Sequence, residues 1–178
     1  MMKREELAER ATDYVLEHGL IGLSLRPLAA ALGTSDRMLI YHFGSKDELI
    51  ATVLATCNER SMQIVRSMPH SSSVRGAIVD LWDVFTSTSL ESCQRMYVEA
   101  AALGLFGRQP YVTSVRESND IWLAAVTEHL HNAGASADRA PRLAALIDAA
   151  INGLLFDRPL DGDAAARRVV EDLADALG

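Results

Sequence analysis

Residues 24–49, SLRPLAAALGTSDRMLIYHFGSKDEL, read as a helix, a tight turn, a second short helix and the start of a third. Leu28 and Leu32 lie four apart on one face, and Ala29, Ala30 and Ala31 leave room for a close helix crossing. Ser24 suits an N-cap, and Pro27 still falls in the first turn, where a missing N–H costs little. Gly33 follows Leu32, where a chain leaving a helix often needs positive φ. Ser35 recaps almost at once, and Met38, Leu39, Tyr41, His42 and Phe43 fill the second helix. A helix, a short Gly-containing turn and a helix are the parts of a helix-turn-helix. Ser45-Lys46-Asp47-Glu48 then fits the capping box. Lys46 therefore stands at a helix N-terminus, where free N–H groups and the macrodipole already favour an anion. A lysine just there is placed as a phosphate clamp.

The stretch LSLRPLAAALGTSDRMLIYHFGSKDELI closely resembles the DNA-binding region of TetR-type one-component transcriptional regulators. The resemblance runs through Leu25-Arg26, Leu28-Ala29, Leu32-Gly33, Ser35, Leu39, Tyr41-His42-Phe43, Ser45-Lys46 and Glu48-Leu49. It also takes in the amphipathic helix before the motif. Beyond that point the chain agrees with the family in length and helical pattern only.

Length and composition set bounds. The 178 residues can bury a substantial core as one or two small domains, and a 49% hydrophobic content with 5 prolines argues for an ordered globular protein. Alanine-rich runs and few aromatics favour helix. No apolar stretch approaches the length of a membrane span, and MMKREELAER is too polar for a signal peptide, so a cytoplasmic protein is expected. Cys57 and Cys93 sit in apolar helical patterns without ligand spacing; they read as buried thiols, with a redox switch as the alternative. The net charge of -7 looks unsuited to DNA until it is located. Residues 1–46 carry six basic and six acidic side chains, so the whole excess lies beyond them. Within Ser24–Lys46 three basic groups face one acidic group, Asp36. A mildly positive DNA face on an acidic body disfavours indiscriminate polyanion binding.

A first helix is expected from Lys3 to His18, with Leu7, Ala11, Tyr14, Val15 and His18 at helical spacing and Gly19 ending it. His18 reads as a helix-end residue rather than a ligand. From Ser45 to Met68 a single long helix, about 34 Å at 1.5 Å per residue, continues without a linker until Pro69-His70-Ser71-Ser72-Ser73. Five further helices follow with short connections: Val74–Ser87, Glu91–Phe106, one opened by Pro110 and closed near Ala133-Gly134, one started by Ser136 and including Pro141–Phe156, and a last one capped by Asp161 or Asp163. No strand alternation or repeat is present. The expected fold is all-α. An N-terminal three-helix helix-turn-helix domain, 1–46, is joined by a long helix to a C-terminal helical ligand-binding and dimerisation domain, 47–178.

The resemblance implies roles residue by residue. Arg26 matches a family position that often reaches a base or phosphate. Arg37 and Met38, in the first turn of the recognition helix, should face the major groove; arginine can grip guanine O6 and N7, methionine offers apolar contact. Tyr41 and His42 would lie along the backbone or groove edge, or pack against Phe43. Lys46 is the phosphate contact, and Thr34 and Ser35 add hydroxyls where turn and capping duties leave them free. Two positions depart from the family pattern: Ile40, where a tyrosine is frequent, and Asp36, where a basic or neutral polar residue is. They bear on which operator is read.

In the body, the resemblance implies an effector pocket, with Trp82, Phe85, Met96, Tyr97, Leu103, Phe106 and Trp122 as candidate lining groups; at helical spacing the same residues also read as core. Few charges interrupt these stripes, so the effector is expected to be largely apolar, with Tyr97 or a tryptophan N–H as its polar handle. Pro141–Phe156 is apolar on more than one side and needs two burials. Because family members usually pair through their last two helices, Leu143, Ile147, Ile151, Gly153 and Leu154, with Val169 and Leu173, are expected at a homodimer interface. His129 and His131 are two apart and diverge on a helix, so no metal pair forms. No Gly-rich nucleotide loop follows a strand, no nucleophile set is indicated, and no cofactor or enzyme activity is expected. The expected function is a ligand-responsive regulator, a repressor gripping palindromic double-stranded DNA as a homodimer and released by a small effector, with no membrane partner. The alternative is an all-helical ligand-binding or interaction protein that has lost specific DNA binding through Ile40 and Asp36.

Overall fold

The computed structural model describes residues 3–178; Met1 and Met2, which open the expected first domain, lie outside the described residues. Among the described residues there are nine helices and no strand: α1 Arg4–His18, α2 Leu25–Ala31, α3 Asp36–Phe43, α4 Lys46–Arg66, α5 Val74–Phe85, α6 Thr88–Leu105, α7 Tyr111–Asn132, α8 Ala140–Asp161 and α9 Asp163–Leu177. The class is all-α, and each helix expected from the sequence is present. By packing, the chain groups into two compact units. The first comprises the residues up to Gln63 with Thr88–Asn119, and the second Ile64–Ser87 with Asp120–Gly178.

In the first unit the helix ends are specified locally. α1 buries Leu7, Ala8, Ala11, Thr12 and Val15, and the Thr12 hydroxyl is satisfied by the Ala8 carbonyl at 2.8 Å. α2 ends in a paired closure: the Thr34 N–H reaches the Ala29 carbonyl at 2.9 Å and the Gly33 N–H the Ala30 carbonyl at 3.1 Å. That closure requires a left-handed residue, and Gly33 supplies φ +69. Ser24 stands before α2 with extended backbone, but its hydroxyl makes no cap hydrogen bond. Ser35 and Ser45 do cap: their hydroxyls accept from Met38 N–H at 3.2 Å and Glu48 N–H at 3.1 Å. Leu28, Leu32, Leu39, Phe43 and Leu49 close a small core with α1.

Three polar clasps tie this unit together. Arg60 of α4 donates to the carboxylates of Glu9 and Asp13 on α1, the latter at 2.7 Å. Arg95 of α6 donates to the Leu16 carbonyl near the end of α1. One turn further along α6, the Glu99 carboxylate accepts the backbone N–H groups of Leu20 and Ile21 at 2.6 and 2.7 Å.

In the second unit α9 packs against both α5 and α8. Arg167 of α9 bridges Asp83 of α5 and Glu171, and Arg75 pairs with Asp175. These pairs are solvent-exposed and screened, so burial of Ile78, Leu81, Ile147, Ile151 and Val170 holds the unit. Several boundaries differ from expectation: α5 stops at Phe85 rather than Ser87, and α8 starts at Ala140 rather than Ser136. α8 runs on past Phe156 to Asp161 with Pro159 inside it; in the final turn a proline removes one hydrogen bond from an end that would fray anyway. Neither aspartate caps α9: Gly162, at φ +84, holds that position and Asp163 is the first helical residue, paired with Arg158.

The burial of α8 bears on the expected dimer face. Leu143, Ile147 and Ile151 are 4%, 1% and 1% exposed within a single chain. A partner chain has almost nothing left to bury there, because α5 and α9 are adjacent elements of the same core. The apolar residues that α8 leaves in solvent are Leu146, Phe156 and Leu160, with Gly153 between them on the exposed side, and α9 adds Val169. Leu154 and Leu173 are half-buried.

Candidate nucleic-acid interface

α3 presents one outward face. Asp36, Arg37, Ile40 and Tyr41 are exposed, while Leu39 and Phe43 are buried and Met38 and His42 half-buried. The spacing of one and four residues keeps the exposed four on a single side of the helix. Arg37 leads this face from the first turn, with its backbone N–H received by the Asp36 carboxylate at 3.1 Å. Asp36 is therefore engaged at its own helix N-terminus, where its charge complements the dipole. Tyr41 stands out at 74% exposure, its ring edge-on to His42. Ile40 shares the face with Arg37 and Tyr41 and offers them only an apolar neighbour. Met38 is set to the side, its N–H held by Ser35.

Arg26 is exposed on α2, and Thr34 and Ser35 occupy the turn. The Ser35 hydroxyl is committed as a cap acceptor, which leaves its own proton free to donate. Lys46 is exposed at the start of α4, and its ammonium donates to the Leu23 carbonyl. The lysine thus anchors the α1–α2 connection to the start of α4, with two further ammonium protons to offer.

Sequence reasoning missed one member of this cluster. Arg4 opens α1, donates through Nε to the His42 carbonyl at 3.2 Å, and lies 5.3 Å from the centre of the Phe43 ring. A cation at the C-terminus of α3 complements the dipole and fixes the end of the recognition helix. The only sequence signal was a basic residue 38 positions upstream of its acceptor. No local pattern carries that pairing.

The candidate effector residues divide between the two units. On α6, Met96 is buried, Tyr97 and Leu103 are half-buried, and Phe106 just beyond it is 81% exposed, alongside Leu105 at 88%. An exposed ring at a helix end does not line an enclosed cavity. In the second unit Trp82, Phe85 and Trp122 are buried, with Phe85 edge-on to Trp122 at 4.4 Å between ring centres. The Trp122 indole N–H is buried without a hydrogen bond of ordinary geometry. Beside it lies the Asp148 carboxyl of α8, whose pKa burial pushes up while the side chains of Trp122 and Asn152 draw it back. Asp148 was not among the sequence candidates, since one acid in an apolar helix reads as a surface residue until α7 is placed against it. His129 is buried, its pKa lowered chiefly by that burial, and its Nε2 lies 3.4 Å from the Ser71 hydroxyl. No group of three or more His, Cys, Asp or Glu side chains among the described residues is arranged to hold a metal, and no described helix is long and apolar enough to cross a membrane.

Residues 5–53 match the sequence model of the bacterial regulatory proteins of the tetR family. No curated protein matches the chain significantly. Among solved structures, a transcriptional regulator from Rhodococcus sp. Rha1 superposes with a TM-score of 0.79 at 20% identity, covering 99% of this chain and 96% of that one. A TetR transcriptional regulator from Legionella pneumophila gives 0.74 at 18% identity over 99% and 97%. A protein of Saccharomonospora viridis solved in complex with choline gives 0.72 at 17% over 97% and 95%. Identities this low speak to fold, whereas the match over 5–53 speaks to sequence and covers the residues that build the exposed α3 face. Residues 5–53 are therefore similar to the tetR-family regulatory region, and the whole chain shares the fold of these solved regulators.

Proposed function

We propose that this protein is a ligand-responsive transcriptional regulator, acting in the cytoplasm as a repressor and performing no catalysis. The observation that carries the reading is the outward face of α3, where Arg37 and Tyr41 project from a capped helix inside the region that matches the family. On this reading residues 1–46 read DNA and 47–178 bind effector and dimerise. Arg37 enters the major groove and takes guanine O6 and N7, while Tyr41, Lys46, Arg26, Thr34 and Ser35 meet the backbone. Met38 and His42, half-buried, flank the contact.

The operator is palindromic because the reader is a two-fold dimer. Leu146, Gly153, Phe156 and Leu160 on α8 with Val169 on α9 leave an apolar surface of the kind that soluble monomers seldom carry. A partner covering it brings two recognition helices to half-sites about one DNA turn apart or somewhat more. The effector is small and largely apolar, bound in the C-terminal helices among aromatic groups such as Trp82, Phe85 and Trp122. The Trp122 indole N–H and the neighbouring Asp148 carboxyl are its polar handles. That a similarly folded protein was solved with choline supports a small-molecule site in this architecture. Effector binding shifts the population toward a dimer whose half-site spacing no longer fits.

A gel shift against DNA flanking the protein's own gene tests the reading. Retarded bands that survive excess random DNA are expected. Binding no tighter than to random DNA would favour the alternative, a helical ligand-binding protein that has lost sequence-specific recognition through Ile40 and Asp36.

A further inference from the structure

Ahead of α8 the chain turns on Ser136, whose backbone carbonyl accepts the N–H groups of Arg139 and Ala140 at 3.0 and 2.9 Å. Arg139 is already helical, at φ -84 and ψ -40, and its own carbonyl takes the Leu143 N–H at 3.0 Å. Arg139, Arg142, Leu143 and Leu146 therefore follow the i, i+3, i+4, i+7 spacing and share one face of the helix. That face lines a cavity of about 350 Å³, together with Leu177 of α9 and with Ser136 and Asp138 of the preceding turn. The volume lies at the small end of the range for small-molecule sites, about 300–1,000 Å³. Trp82, Phe85 and Trp122 do not line it, so it is separate from the effector site proposed above.

The lining is divided along the stripe, with the arginines first and the leucines after them. Arg139 donates from its guanidinium to the Leu177 carbonyl, which holds the group at the cavity and leaves its other N–H groups to offer. Arg142 is exposed, and among the described residues it has no hydrogen bond or ion pair. Asp138 lines the same cavity without pairing with either arginine. Two guanidiniums against one carboxylate leave a single positive charge beside an apolar wall. An occupant with one negative charge and a short apolar tail matches both halves. A carboxylate takes paired N–H bonds from a guanidinium fork, whereas the second charge of a phosphate would face Asp138. We propose that this cavity binds a small aliphatic carboxylate, with its head on Arg142 and Arg139 and its chain along Leu143, Leu146 and Leu177.

Calorimetric titration of the full-length protein with hexanoate tests this, with hexan-1-ol, hexylammonium and hexyl phosphate run alongside. Leu146 also belongs to the apolar surface assigned to a partner chain, so the protein is titrated in its own state of assembly. One site per chain, saturating by about 10 mM hexanoate, is expected. The alcohol and the amine should bind at least about tenfold more weakly, since neither forms the charge-assisted bonds. Arg142→Gln should weaken hexanoate binding by about tenfold, and Leu146→Ser by less. Both side chains are exposed, so both variants should keep their helicity in circular dichroism. Failure to saturate, or equal binding of hexanol and hexanoate, would overturn the proposal. So would unchanged affinity in Arg142→Gln, which would put the acid elsewhere, in the effector site for instance. Tighter binding of hexyl phosphate would overturn the choice of a singly charged head. If a variant does not fold, the wild type decides: hexanoate should shield Arg142 from phenylglyoxal in a peptide map, and an unshielded Arg142 would overturn the site.

Discussion

The helix-turn-helix and the α8–α9 pair are built on opposite principles. In the first, almost every boundary has a local cause: Ser35 and Ser45 cap, Gly33 closes α2 in the left-handed region, and α3 keeps its polar side outward. In the second, α8 carries leucines, isoleucines and alanines nearly all round, and only its neighbours decide which of them are core. A segment whose ends are chemically marked can be placed by reading it. A segment apolar on every side cannot, because the same row of residues serves equally as core or as interface.

This contrast is tested first where it is sharpest, on α8. Gly153 is exposed, and a Cβ there meets nothing within 4 Å, so a single chain has room for a side chain. Gly153→Glu should therefore leave helicity and the single-chain fold intact while dissociating the dimer, and operator affinity should fall by about 10²–10⁴ as linked half-sites become independent. Sedimentation at micromolar protein with circular dichroism alongside would check it; a dimer that persists removes this face from the interface. Ile147→Ala, on the buried side of the same helix, should cost about 2–5 kcal/mol of stability by leaving a cavity. Urea unfolding measures that cost, and a negligible change would mean that the residue is not core.

The next tests concern the DNA-reading face. Arg37→Ala should lose about 1–3 kcal/mol at one base pair per half-site, with little change at the others. Titrations against single-base operator variants decide it, and a uniform loss would make Arg37 a phosphate ligand. The smallest effect is expected at Lys46. If it holds phosphate, Lys46→Ala weakens operator and random DNA alike and lowers the salt slope by about one contact. If its bond to the Leu23 carbonyl is its whole role, the salt dependence stays unchanged and only thermal stability falls.

Most of the fold was legible, and much less of the site. Helix existence followed from periodicity and caps, and the match over 5–53 agrees with the motif residues in the turn and α3. Ends without chemical marks were misplaced: α8 outran its expected stop because Pro159 sits where a helix tolerates it, and Gly162 took the capping place that the aspartates suggested. Arg4 on the His42 carbonyl and Asp148 beside Trp122 were invisible, since each depends on a partner brought from a distant part of the chain. Leu143, Ile147 and Ile151 were expected at an interface for the same reason, because a stripe of apolar residues does not say which of two surfaces will claim it.

Glu99 carries a mechanical consequence. Its carboxylate grips the backbone itself at Leu20 and Ile21, and Arg95 grips the Leu16 carbonyl one turn away. Charge-assisted bonds of this kind are worth about 1.5–3 kcal/mol each and are sharply directional. Side chains gripping side chains can swivel and absorb a displacement, whereas a carboxylate on two successive amides behaves as a rigid strut. A shift of α6 along its axis must carry the 19–21 corner with it or break the strut outright. The corner therefore follows α6 for as long as these bonds hold.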